Sequence, residues 1–548
     1  MFFKKYKFLF TIVLVGASAT QTSLIHSGDD DSGDIFFDDN MWDNLDENAT
    51  PNVTRTADDL AALQVFTQLF PLNNLISGNI YLETNAINTR QLTSLPNYMM
   101  YHSDKLNEDF IFNTYLLYNE TFKQNFTKTS TLLGSYLNLD TATLLEKLAS
   151  NVFDVSKVPL GILNIIELAQ NCKIQQRRVG SMFQFFKNHG PWSFEATVPL
   201  VYQENNFYFS DSEQSLLRIE ISKLAGTTSA KSEKVDFEKY AVSDRIGFGD
   251  LKFRAGYRLI SNDYVKLKAG FDTTIPTSFA FAKGLLGSNF RKNLTLPTID
   301  LTAVYNLNPI DPDPTQAAEL FELGKNLLTS FDQWLGAIVL NQSLGDFHHP
   351  TIGAFLDTKL IYNSNVACLV MGEFLYSIPK NELRFFNQIK NPADFTYAAI
   401  WAPVNAASTL PEKEAAAAVQ MNFLDVNTVS FLFPTAANAH VSPGIQVQFC
   451  VAPQFEFGPY LLQIGYNFWH QTQEKIKNAV PIEPALYPLN IADCLSPAAT
   501  QNKVFGRFNY NYVTPRHLWC IAVCLDQTLG STGIGKDFNA ALELSVDF

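Results

Sequence analysis

Five cationic side chains fall at even positions within a short stretch: Lys252, Arg254, Arg258, Lys266 and Lys268. On β-strands, residues of one parity share a face. A face so charged attracts anions through its summed potential, and the guanidinium fork can hold a carboxylate or phosphate at two points. The same five can instead be neutralised across an interior by Asp272, Asp300, Asp357 or Glu543, or by an acidic N-terminal segment. Other chemistry is sparse. Asp346, His348 and His349 form the one dense cluster of metal-ligand types, but it lacks ligands spaced along a fixed element, so no metal is assigned. His517 and Ser545 are residue types a hydrolase uses, and nothing in the sequence brings them together. There is no G-x-S-x-G elbow, H-E-x-x-H helix or Walker loop, so no enzyme and no cofactor is expected. A net charge of -14 argues against nucleic-acid partners.

The cations need a hairpin to carry them, and the sequence supplies one. Leu251, Phe253, Ala255, Tyr257 and Leu259 alternate with Lys252, Arg254, Gly256 and Arg258. Val265, Leu267, Ala269, Phe271 and Ile275 alternate with Lys266, Lys268, Gly270 and Asp272, after a turn at Ser261-Asn262-Asp263. One face is apolar and the other basic. If the apolar face meets lipid, the five cations line a lumen.

Similar alternation recurs around Trp192–Val198, Ile299–Tyr305, Ile352–Tyr362, Ile445–Val451, Tyr460–Phe468, Phe508–Tyr512 and Leu518–Leu525. Connections near His189, Asn262, Ser364, Gly458 and Pro515 are short, whereas those across 205–244, 379–440 and 471–501 are long. Short turns on one side and long loops on the other are the asymmetry of a membrane barrel. About 12 to 14 strands are expected. Helical patterns at Thr141–Phe153, Thr315–Leu335 and Glu412–Gln420 belong to connections.

The chain ends on Phe538, Ala540, Leu542, Leu544, Val546 and Phe548, all on one strand face. This resembles the closing strand of bacterial outer-membrane barrels. The resemblance implies that Phe548, with Val546, Leu544 and Leu542, forms the signal read by the barrel-assembly machinery. At the other end, Lys4, Lys5 and Lys7, the apolar run Phe8–Val15 and Ala17-Ser18-Ala19 spell a secretory signal peptide, with cleavage expected after Ala19. No uninterrupted apolar window long enough for a membrane helix follows. A barrel is the other way to cross a bilayer, since backbone groups must be satisfied within the protein. The 45 Phe and 21 Tyr suit aromatic girdles. Cys520 and Cys524 share a strand face about 13 Å apart, too far to bridge.

Three regions are therefore expected: a signal peptide over 1–19, an acidic segment with a short helix over 20–74 that can serve as a plug, and an all-β transmembrane antiparallel barrel over 75–548. Phe194–Tyr202, Gly247-Phe248-Gly249-Asp250-Leu251, Ala255–Leu259 and Ile275-Pro276-Thr277-Ser278 occur in an order similar to the outer-membrane barrels of phenol meta-cleavage pathways and long-chain fatty-acid transport. The resemblance covers roughly 192–278 and the Phe548 ending. It implies a channel or transporter working by passive diffusion of small solutes, with the outer-membrane bilayer as partner. Two alternatives stay open: a surface adhesin or structural barrel with a closed lumen, and a soluble secreted β-rich protein.

Overall fold

The computed structural model describes Leu63, Ser215, Leu344 and, a few loop positions excepted, residues 110–123, 173–208, 242–283 and 349–547. The strands are β1 (Phe110–Lys123), β2 (Lys173–His189), β3 (Trp192–Tyr208), β4 (Val242–Phe248), β5 (Leu251–Ser261), β6 (Val265–Ile275), β7 (Phe279–Lys283), β8 (Thr351–Asn363), β9 (Val366–Ser377), β10 (Lys380–Phe386), β11 (Thr435–Ser442), β12 (Gln446–Phe457), β13 (Tyr460–Gln471), β14 (Lys475–Pro481), β15 (Ala499–Val513), β16 (Leu518–Thr532) and β17 (Lys536–Asp547). Two helices, α1 (Tyr397–Ala406) and α2 (Leu410–Leu432), lie between β10 and β11.

Twelve strands close a ring in the order β1-β2-β3-β5-β6-β8-β9-β12-β13-β15-β16-β17, and β17 pairs back onto β1 from Phe112↔Val546 to Phe122↔Lys536. Every neighbouring pair is antiparallel. Closure leaves no free edge, so each backbone group of the ring finds a partner inside the protein. The turns after β2, β5, β8, β12 and β15 all fall at one end, and the register also brings Phe110 and Asp547 there. Gly190 and Gly458 in two of these turns have φ of 58° and 61°, where a side chain would be strained. Asn262 and Asn363 brace two others by accepting backbone N–H groups through their side-chain oxygens. The longer connections gather at the opposite end.

The polarity of the ring is inverted relative to a soluble protein. Outward positions hold Phe271 at 77% exposure, Ile464 at 56%, Val523 at 48% and Leu544 at 44%. Inward positions hold Lys503 at 0%, Arg507 at 1% and Lys252 at 2%. Charged residues avoid burial unless paired, and large exposed apolar bands do not survive in water, so this exterior fits lipid. Toward the short-turn end the outer face carries Trp192, Tyr257, Tyr264, Tyr362, Tyr460, Tyr510 and Tyr512, an aromatic girdle. Trp192 meets Tyr257 edge-on at 4.9 Å and Tyr460 stacks on Phe508 at 5.7 Å. Among the described residues no helix is long and apolar enough to cross a membrane.

Two neighbouring strands are jointed. β3 pairs first with β5 and then with β4, so β4 and β5 form one long strand interrupted at Gly249-Asp250. β6 and β7 form another, interrupted at Pro276-Thr277-Ser278. The joints lie side by side. The Asp250 carboxylate accepts from Ser278 N at 3.1 Å, and Leu251 N donates to Thr277 Oγ1 at 2.9 Å. Gly249 N donates to Pro199 O at 2.9 Å, and a Cβ at Gly249 would collide with the Pro199 ring.

Outside the ring, β10, β11 and β14 form a small sheet around Phe386, Ala437, Ala439 and Val441. α1 starts at Thr396, whose hydroxyl accepts from Ala399 N. Before α2, the Glu412 carboxylate accepts the N–H groups of Ser408 and Thr409 at 3.0 Å each. Phe395 stacks on Phe423 at 5.3 Å.

β6 has the bounds expected from alternation, β5 runs on from the expected Leu259 to Ser261, and the Glu412–Gln420 pattern falls inside the longer α2. The strand pattern at Ile299–Tyr305, the helices at Thr141–Phe153 and Thr315–Leu335, the signal peptide, the acidic segment apart from Leu63, and Phe548 lie outside the described residues.

Candidate functional site

Among the described residues, buried charged and polar side chains concentrate on the lumen wall. On β3, β5, β6, β8 and β9 it is an ion network. Lys252 Nζ lies 3.0 Å from Asp272 Oδ2 and 2.9 Å from Glu373 Oε1. Arg254 reaches Asp272 at 3.3 Å, Asp357 at 3.6 Å and Glu195 at 3.8 Å, with its guanidinium 3.8 Å from the centre of the Phe355 ring. Lys268 meets Asp357 at 3.2 Å. The network continues through amides: Gln184 Nε2 donates to Glu195 at 2.7 Å, and Gln184 Oε1 accepts from Asn113 Nδ2 at 2.8 Å and Tyr115 OH at 3.3 Å.

Of the two readings open for the basic face, pairing with carboxylates describes its inner part. Lys252 and Arg254 do face inward, but both are buried and enclosed by Glu195, Asp272, Asp357 and Glu373. Burial strips the cations of water, so only carboxylates at contact distance make the arrangement tolerable. Lys268 is paired, Lys266 is half-buried, and Arg258 is exposed beside the β5–β6 turn, where a register shift falls between Arg258 and Ile260. Alternation alone located the face. Asp272 and Asp357 were among the partners named from sequence, and the missed ones are Glu195 on β3 and Glu373 on β9.

Two further charged groups sit on the other side of the ring. Arg507 on β15 meets Glu543 on β17 at 2.8 Å. Lys503 meets Asp537 at 2.8 Å and Asp526 at 3.3 Å, and Gln501 and Thr528 donate to Asp537. Between these charges the lumen is apolar. Tyr115, Leu117, Met182, Val201, Met371, Cys450, Ala452, Phe505, Cys524 and Ala541 form one contiguous buried cluster. These residues come from β1, β2, β3, β9, β12, β15, β16 and β17, which run almost consecutively round the ring, so the cluster lines much of the inner wall.

Of the closing-strand residues, Leu542 and Leu544 face outward at 45% and 44% exposure and Val546 is buried. Ser545 pairs with Cys520, three residues along β16 from His517, which leaves about 10 Å of strand between them and no hydrolase pair. His349 Nδ1 donates to Ile378 O at 2.9 Å, and its Nε2 lies 3.5 Å from Glu382. Arg384 reaches Glu382 and also meets Glu474 at 3.2 Å. Burial pushes the Glu382 carboxyl up, but Arg384 and His349 outweigh it and hold it below its ordinary range. Lys390, outside the ring, is pushed down to about 7 by burial.

No family model and no curated protein matches the chain. Among solved structures, an outer-membrane channel from Pseudomonas putida F1 is 10% identical, with a TM-score of 0.37, covering 82% of this chain and 100% of its own. The toluene transporter TbuX of Ralstonia pickettii is 10% identical at a TM-score of 0.29, covering 86% of this chain and 98% of its own. The toluene transporter TodX of P. putida is 7% identical at 0.28, covering 80% and 89%. The fold of this chain is established by its own closed strand register: it is a closed, twelve-stranded antiparallel β-barrel with a lipid-suited exterior.

Proposed function

We propose that the chain is an outer-membrane channel or transporter that passes small solutes by passive diffusion. The observation that carries this is the inside-out ring: apolar side chains outward, and ion pairs and amides inward, from Lys252 to Glu543. A polar lumen serves solutes or is vestigial, and its side chains set size and charge preference. On this proposal the chain is exported by its N-terminal signal, inserted by the barrel-assembly machinery reading the Phe548 ending, and catalyses no reaction. Small solutes and the bilayer are its partners.

The burial of the inward side chains favours a second possibility, a closed structural or adhesive barrel. The test is conductance in planar bilayers with chain shown to be folded by heat-modifiable gel mobility. Stepwise current supports the channel. Folded, inserted protein that never conducts overturns it in favour of the closed barrel.

A further inference from the structure

On three adjacent strands the lumen holds amide side chains with nothing to bond. Gln454 on β12, Gln463 on β13 and Asn509 on β15 are each 0% exposed. Both polar atoms of all three lack a hydrogen-bond partner: Gln454 Nε2 and Oε1, Gln463 Nε2 and Oε1, Asn509 Nδ2 and Oδ1. Gln454 and Gln463 are direct register partners, and Asn509 stands opposite Leu461, two residues from Gln463 on the same face. An unpaired amide is costly wherever water is excluded, and here six polar atoms cluster. Other lumen amides are at least partly engaged: Gln184, Gln501 and Asn539 each donate to a carboxylate.

The surroundings define what would satisfy them. Toward the long-connection end, Ala452 and Gly465 occupy the next inward positions of β12 and β13, and on β15 Arg507 comes next and then Phe505, opposite Gly465. A Cβ on Gly465 would clash with the Phe505 ring, so that ring covers the wall at Gly465. Leu461 and Ala522 add apolar wall. Two charges flank the amides: Arg507, in register with Gln463 and engaged by Glu543 at 2.8 Å, and the half-buried Glu456, the next inward residue of β12. Three amide carbonyls and three amide NH₂ groups offer acceptors and donors in equal number, with no uncompensated charge.

We propose that Gln454, Gln463 and Asn509 form a lumen site for a small neutral solute that both donates and accepts hydrogen bonds, a polyol or an amide. The site is closed in this conformation and fills when the Phe505 ring lifts from Gly465. An apolar ligand would leave the amides unpaired, and an ion would find no free counter-charge. Binding without conductance would keep the site and remove the channel proposal, and conductance without binding would do the reverse.

The test is saturation-transfer NMR on the folded chain in detergent micelles with four probes: glycerol, acetamide, acetate and toluene. Transfer to glycerol or acetamide is expected, with acetate showing none at this site. Gln463→Leu should weaken the neutral probe about fivefold, the loss of one hydrogen-bonding group, and leave toluene unchanged. Asn509→Ala gives the same comparison on a second strand. No transfer to either neutral probe would mean that the amides take water only and overturns the site, as does equal transfer in wild type and variants. Where a variant fails the mobility check for folding, the four-probe comparison in the wild type decides.

Discussion

Arg507 and Glu543 meet at 2.8 Å across an intervening strand, with side-chain exposures of 1% and 3%. The register explains how. Arg507 stands opposite Cys524, Cys524 opposite Ala541, and Glu543 is the next inward residue of β17. The pair therefore ties β15 to the closing strand, which itself pairs with β1. Removing one partner leaves a bare charge in the lumen, and that costs more than the pair contributes. Arg507→Met is expected to destabilise the folded barrel by about 3–5 kcal/mol, with much of the loss recovered in Arg507→Met/Glu543→Gln. Denaturant titration of the two variants, followed by gel mobility, checks it.

The exterior makes a separate prediction. Phe253 and Val523 face outward at 39% and 48% exposure, each next to a buried inward residue, Lys252 or Arg254 and Ala522. Arg at either outward position is expected to cost about 2–4 kcal/mol if it lies at the bilayer midplane, falling toward the interfaces. Phe253→Arg and Val523→Arg should lose stability in bilayers and far less in micelles. Equal losses in both media would mean that these faces do not meet lipid.

How far the sequence disclosed this architecture depended on contrast between faces. Leu251–Ser261 and Val265–Ile275 were legible because apolar and basic residues alternate strictly around a turn signal. β9, Val366–Ser377, was hidden because Ala, Cys, Leu, Val and Met occupy both parities and erase the period. β1, with Asn113 and Asn119 inside and Thr114 and Leu116 outside, inverts the usual polarity only weakly. For the site, parity announced which residues face inward, but not which partners tilt and register would bring beside them. Glu373 lies 121 residues from Lys252 and reaches it only through the β5-β6-β8-β9 order. The unpaired amides gave no sequence signal, since Gln and Asn are ordinary inward residues of a barrel.

Acidification should loosen the sheet outside the ring before the ring itself. Burial raises the Glu382 carboxyl, yet Arg384 and His349 pull it below its ordinary 4.5. A depressed folded value means that this contribution is complete above about pH 4.5 and is lost as pH falls through the folded value. Lys390 acts at the other end of the scale. Its folded value near 7 lies below its ordinary 10.5, so the unfolded segment binds more protons in that window and local stability rises with pH across it. Hydrogen exchange over 380–386 and 435–442 should accelerate below about pH 4.5 and slow between about pH 7 and pH 10, relative to β15. Lys390→Met should abolish the alkaline gain and leave the acid limb intact.

Arg254 and Arg258 separate a structural cation from a selective one. Arg254 is buried among Asp272, Asp357 and Glu195 and packs on Phe355. Arg258, two inward positions nearer the short-turn rim, is exposed. Reversing Arg254 to Glu places a fourth carboxylate against three others with their only guanidinium gone, and the expected result is a barrel that fails to fold. Reversing Arg258 to Glu changes the field at the rim without uncovering a buried charge, so folding should be normal. If solute enters by this rim, Arg258→Glu should shift the reversal potential under a salt gradient toward cation preference, and the shift should shrink as ionic strength rises, because the exposed charge is screened. A folded Arg254→Glu barrel with wild-type conductance would show that the ion network does not hold this wall. An Arg258→Glu channel of unchanged selectivity would show that the current does not pass the rim where Arg258 stands.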